Sequence, residues 1–177
     1  VQDEFCKMLT CKNPVVAMEL LRKTGAMHYV IPELEETYFM TQNEYHFGTV
    51  WEHTMAVLEG IKDDDLTLRL SALLHDIGKV RVRTEEDGKI HFLKHELKSG
   101  DMIDDLLRPL KFSNEIIRDV TFLVRNHMIC KTWGCECENM KDKKLRRLQY
   151  ECKTEEHFSH LMTIIDADNK AHAAAMC

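Results

Sequence analysis

Apolar residues recur at helical spacing along almost the whole chain, and alternation with a period of two occurs at one short stretch only. That pattern commits the chain to an all-α architecture. Asn13-Pro14 reads as an N-cap followed by an N1 proline, residues 15–24 carry an apolar stripe, and Gly25 stands where a C′ glycine closes a helix. A linker through Ile31-Pro32 is expected next. Further helices are expected at 49–61, 65–77, 92–107, 114–128, 141–152 and 154–175, with Ser113 and Thr154 as N-caps. Val80-Arg81-Val82-Arg83, then Asp87-Gly88, then Lys89-Ile90-His91-Phe92, reads as a short β-hairpin. The expected organisation is a small N-terminal helical segment, residues 1–44, packed on an all-α domain, residues 45–177.

Composition excludes several classes. With 177 residues, 44% hydrophobic and 31% charged, the chain can bury a core and lies outside the disordered and low-complexity classes. No apolar run reaches the roughly 20 residues that span a bilayer, and no signal-peptide core follows Val1, so a cytoplasmic protein without a membrane partner is expected. A first residue other than Met is read as processing or as a piece of a longer chain. The net charge of −6 disfavours non-specific polyanion binding, so any RNA contact must be local. The best local patch, residues 141–147, reads first as a solvated helix face. Seven cysteines suggest free thiols, and Cys130, Cys135 and Cys137 fit no common paired zinc module.

The informative residues are polar ones on core-facing surfaces. On a helical wheel, His127 lies within the stripe of Ile116, Ile117, Val120, Leu123 and Val124. Asp168 lies within the stripe of Phe158, Leu161, Met162 and Ile165, while Asp166 points roughly 120° away. The apolar segment 66–77 ends in His75-Asp76, and His53 and His95 flank their stripes. Each alone reads as a satisfied core or helix-end residue. Together they would cost a few kcal/mol apiece if desolvated without partners. A shared divalent ion satisfies all of them, because imidazole and carboxylate suit first-row metals, and a set without cysteine leaves positions for water and substrate.

The order His53, His75-Asp76, Asp168 resembles the H…HD…D signature of the HD superfamily of metal-dependent phosphohydrolases, which is carried on a helical bundle. His95 and His127 fall where six-ligand members have two further histidines. Residues 42–46, Trp51-Glu52-His53-Thr54, residues 72–79, 92–100 and 123–127 resemble the HD portion of bacterial CCA-adding tRNA nucleotidyltransferases. Residues 14–34 resemble the helical segment that precedes it. Nothing resembles the nucleotidyltransferase head of those enzymes, so this chain alone is not expected to add nucleotides.

The resemblance implies one or two divalent ions, among Mn, Fe, Ni, Co, Zn and Mg. The implied ligands are His53, His75, Asp76 and Asp168, joined by His95 and His127 if a second ion binds. Asp76 is the implied bridge. Two ions about 3.5–4 Å apart can promote attack on phosphorus and stabilise the leaving oxygen. Lys79 is placed either as a phosphate-binding cation or as a lysine complementing a helix C-terminus. Arg81 and Arg83 would extend the anion surface, although exposed decoration is the simpler reading of each, and His46 would border the site. The implied substrate is a phosphomonoester or a 2′,3′-cyclic or other phosphodiester on a nucleotide or RNA end. The competing reading is a non-catalytic tRNA-binding body of a CCA-adding enzyme; a nucleotide-signalling hydrolase fits the N-terminal segment less well.

Overall fold

Polar residues at the helix starts set where most elements begin. In this computed structural model, which describes residues 1–42, 48–132, 142–152 and 154–175, Pro14 opens α2 (Pro14–Lys23), and Gly25 follows at φ +74°. Asn13 occupies the N-cap position, but its side chain makes no capping bond. Thr49 and Glu52 form a reciprocal capping box at the start of α5 (Val50–Gly60). Asp65 accepts from the Leu68 amide at the start of α6 (Leu66–Leu74), and Ser113 from the Ile116 amide before α9 (Asn114–Asn126). The Thr154 hydroxyl accepts from the His157 amide at the head of α12 (Glu155–Ala175).

The expected secondary structure is corrected at three places. The segment read as a linker through Ile31-Pro32 contains α3 (Met27–Val30) and α4 (Pro32–Tyr38), with Ile31 and Leu34 buried. Pro32 is an N1 proline, so it starts a helix rather than interrupting the chain. Val80-Arg81-Val82-Arg83 is not a strand. The carbonyls of Asp76, Ile77 and Gly78 accept from the amides of Lys79, Val80 and Arg81, carrying tight helical turns on into α7 (Lys79–Val82). The hairpin is shifted to β1 (Thr84–Glu86) and β2 (Lys89–His91), antiparallel with Glu85 opposite Ile90. Asp87 and Gly88 turn it at φ +51° and +73°, the two positive values that a tight primed hairpin turn needs. Finally, α8 (His95–Leu107) starts at 95 rather than 92, because Lys94 takes a left-handed φ of +57°.

α6 is the central helix. Every residue from Leu68 to Leu74 is buried, and α5, α9, α12 and α1 (Gln2–Thr10) pack around it. Phe5, Leu9, Met18 and Met27 from the N-terminal helices share one core with Trp51, Leu58, Leu68 and Leu123. Buried Arg69 ties the N-terminal segment down, donating to the carbonyls of Leu9 at 2.9 Å and Cys11 at 2.7 Å. These are carbonyls at the end of α1, where a helix favours a cation.

α10 (Ile129–Thr132) follows α9, and α11 (Asp142–Glu151) carries the basic run, with Arg146 and Arg147 exposed and Leu148 buried. Lys141, His46, Cys135 and Cys137 lie outside the described residues. Cys6, Cys11 and Cys152 are free thiols, but Cys130 is disulfide-bonded, which corrects the expectation for that residue. An odd cysteine count guarantees one unpaired thiol and does not forbid a pair.

Candidate metal centre

The end of α6 delivers the first two residues. His75 is the C-cap, and its Nδ1 donates to the Ala72 carbonyl at 2.7 Å. His127, the C-cap of α9, repeats the arrangement with the Val124 carbonyl at 2.7 Å, and His95 does so with the Phe92 carbonyl at 3.0 Å. A carbonyl oxygen only accepts, so all three Nδ1 atoms carry hydrogen. In the neutral rings the lone pair is therefore on Nε2, and the Nε2 atoms point at one place.

That place is Asp76. Its Oδ2 is 3.2 Å from His75 Nε2 and 3.6 Å from His53 Nε2; its Oδ1 is 3.1 Å from His95 Nε2 and 3.7 Å from His127 Nε2. The two oxygens thus face different pairs of histidines. Asp168 enters from α12, with Oδ1 2.9 Å from His53 Nε2 and 4.0 Å from His75 Nε2. His53 Nε2 and His75 Nε2 stand 3.4 Å apart. All six residues are buried, from 0% exposure at His75 to 8% at His95.

The donor set fits a divalent ion. A neutral His95 or His127 presents an Nε2 lone pair to an Asp76 oxygen that has only lone pairs to offer, a repulsive contact in a buried site. A cation between them turns each repulsive pair into a ligand pair. Groups that can hold an ion are His53, His75 and Asp76; Asp76, His95 and His127; and His53, Asp168 and His172.

The electrostatics of the metal-free site differ among the histidines. Burial is the main cause that lowers the His53 and His127 pKa values below the usual imidazole range, which keeps the rings neutral. For His75 burial acts in the same direction, but the charge and hydrogen bond of Asp76 outweigh it and the pKa rises. Burial pushes the Asp76 pKa up, yet the charges of His75 and Lys79 and the hydrogen bond from His75 hold it well below the usual carboxylate range.

The cations expected to bind phosphate are engaged by carboxylates. Lys79 is buried at the start of α7, not at a helix C-terminus, and its Nζ lies 2.8 Å from Asp76 Oδ2 and 2.8 Å from Gln42 Oε1. Arg81 makes a bidentate pair with Glu36 at 2.7 and 3.0 Å, and Arg83 pairs with Glu85 at 3.0 Å. The structure brings Lys79 into the cluster through Asp76 and directs both arginines to carboxylates outside it.

Gly78 sets the distance between the two halves. A Cβ there would fall 2.4 Å from the Ser99 nitrogen and 2.6 Å from the His95 oxygen. Its amide donates to Ser99 Oγ at 2.8 Å, so the turn after Asp76 lies directly on α8 beside His95. Sequence reasoning missed Ser99, Gln42 and His172. His172 had a readable signal: it follows Asp168 by four residues, one helical turn.

The HD domain family matches residues 43–167. The chain belongs to the HD domain family. HD domains bind divalent metals, and this one carries His/Asp groups able to do so. A second family, described as "Probable RNA and SrmB- binding site of polymerase A", matches residues 1–37 ahead of the HD domain. The chain is 30% identical over 134 residues to a CC-adding tRNA nucleotidyltransferase of Thermus thermophilus, covering 72% of this chain and 31% of that protein. It is 30% identical over 135 residues to an A-adding tRNA nucleotidyltransferase of Deinococcus radiodurans, covering 73% and 31%. A Multifunctional CCA protein of Paraburkholderia phymatum is 34% identical over 132 residues, covering 72% and 31%. The matched HD region thus spans 31% of each relative's length. Among the described residues, no helix is long and apolar enough to cross a membrane.

Proposed function

We propose that the protein is a metal-dependent phosphohydrolase acting on a phosphomonoester or a 2′,3′-cyclic or other phosphodiester, at a nucleotide or RNA end. The observation that supports this most is Asp76, whose two oxygens face separate histidine pairs, with Lys79 on one of them. His53, His75, Asp76 and Asp168 would hold one ion; Asp76, His95 and His127 would hold a second. Divalent ions in such a site supply Lewis acidity toward water and toward phosphoryl oxygen. The chain's own part is preorganisation. Three backbone carbonyls set the imidazole tautomers, Lys79 keeps Asp76 ionised, and Gly78 against Ser99 fixes the spacing of His75 and His95.

The N-terminal match and the relatives' names favour a second reading, a tRNA-binding body that supports nucleotide addition carried out elsewhere in a longer enzyme. The test is metal content by mass spectrometry on protein purified without chelator or nickel resin. A screen of phosphomonoesters and cyclic phosphodiesters with added Mn, Mg, Ni or Co would follow. Metal-dependent turnover, lost in His75→Ala and Asp76→Ala proteins that remain folded, supports the hydrolase. Bound metal without turnover under every supplementation moves the assignment to the tRNA-binding body.

A further inference from the structure

We propose that His172 is a protein ligand of the ion held by His53 and Asp168, so that this side of the centre carries one imidazole more than the H…HD…D order supplies. The inference rests on the metal-binding reading above. His172 lies one turn beyond Asp168 on α12, and its Nε2 is 3.4 Å from Asp168 Oδ1. Its ring centroid is 4.7 Å from that of His53, tilted by 44°. Ligand atoms of His53, Asp168 and His172 all fall within 4.8 Å of one another. The H…HD…D order ends at Asp168 and does not account for His172.

Its placement also differs from that of the other members. The His172 side chain is 20% exposed, whereas those of His53 and Asp168 are 5% and 3%. It stands at the solvent edge of the cluster, on the His53–Asp168 side and not the His95–His127 side. Two imidazoles and a carboxylate suit Zn, Co, Ni or Mn and leave further positions at that ion for His75, water or substrate. A ligand at the edge can be lost without opening a buried cavity, so its removal changes the ion's surroundings and not the core.

The competing role is positional: His172 would hydrogen-bond Asp168 and only orient it. Loss of an orienting partner itself costs about 10–100-fold in metal affinity, so affinity alone does not separate the two roles. The experiment is cobalt(II) titration of metal-free protein, wild type and His172→Ala, read by visible absorption and by hyperfine-shifted imidazole proton signals. Asp166→Asn, at an exposed residue paired to Lys170 on the same helix, is the control. Thermal melts of the metal-free proteins check that each is folded.

The expected result is the loss of one shifted imidazole set, with altered cobalt bands, in His172→Ala and no change in Asp166→Asn. An unchanged number of shifted imidazoles in His172→Ala, with or without weaker binding, overturns the proposal and leaves the metal reading standing. Failure of the wild-type protein to take up cobalt, zinc or manganese sinks the metal reading and this proposal together.

Discussion

Lys79 Nζ lies 2.8 Å from Asp76 Oδ2, and both side chains are buried at 3% exposure. The pair is a counter-charge inside the cluster. Removing only the lysine leaves a buried carboxylate dependent on histidines, and breaking a buried pair from one side costs about 3–5 kcal/mol. Lys79→Met is therefore expected to lower the stability of metal-free protein by that order in urea unfolding at neutral pH. A loss under 1 kcal/mol would mean that Asp76 does not need the ammonium.

Asp76, held ionised by the charges of His75 and Lys79, also sets an acid limit. The folded Asp76 pKa is depressed, so between that value and the ordinary carboxylate value the unfolded chain binds the extra proton. The stabilisation from Asp76 is complete above about pH 5 and declines as pH falls through and below the usual carboxylate range near 4. Carboxyl-carbon NMR on metal-free protein should show Asp76 still ionised at about pH 4. A protonated Asp76 at that pH contradicts the ion-pair account.

Gly78→Ala should damage the site from a distance. The new methyl would meet backbone of α8 at 2.4 and 2.6 Å, and backbone cannot step aside as a flexible side chain does. Overpacking of this kind costs about 1–3 kcal/mol. The displacement falls on His95, so uptake at the His95–His127 side should weaken in calorimetric titration. Gly88→Ala has nothing within 4 Å and should leave metal uptake alone, whatever its strain at φ +73° does to the hairpin.

Truncating His95 and His127 to alanine together should separate the two sides of the centre. Asp76 keeps His53 and His75 on Oδ2 but loses both partners on Oδ1. If two ions bind, the stoichiometry should drop from about two to about one by mass spectrometry. Complete loss of metal would show that the sides are not separable.

Arg69→Met tests how the N-terminal helices are held. The guanidinium serves the carbonyls of Leu9 and Cys11 and, through Nε, that of Asp63 at 2.7 Å. Leaving the buried Leu9 carbonyl without a donor costs about 1–3 kcal/mol, and the part-buried carbonyls of Cys11 and Asp63 add less, so a loss of about 2 kcal/mol is expected. Amide exchange in α1 should accelerate more than in α6; equal acceleration would mean global unfolding and no local tether.

Much of the centre was legible before any coordinates, for one reason. A helical wheel converts spacing into direction, and His127 and Asp168 fell on stripes that had to face a core, while Asp166 did not. Helix starts were legible at Pro14, Ser113 and Thr154, whereas the same N1 proline signal at Pro32 was read as a linker. The strand at 80–83 was misplaced because four alternating residues fit a strand or a helical turn equally, and only the carbonyls of 76–78 decided between them.

The sequence by itself determined the helical class, the HD order and which polar residues turn inward, because those depend on period and local chemistry. It did not determine their partners. That Lys79 reaches Gln42, that Glu36 takes Arg81, and that His172 joins His53 depend on where separate segments cross. Side chains 30 or 100 residues apart carry no mark of their pairing. Only packing around α6 brings them within a few ångströms, where charge and lone pairs decide what each can do.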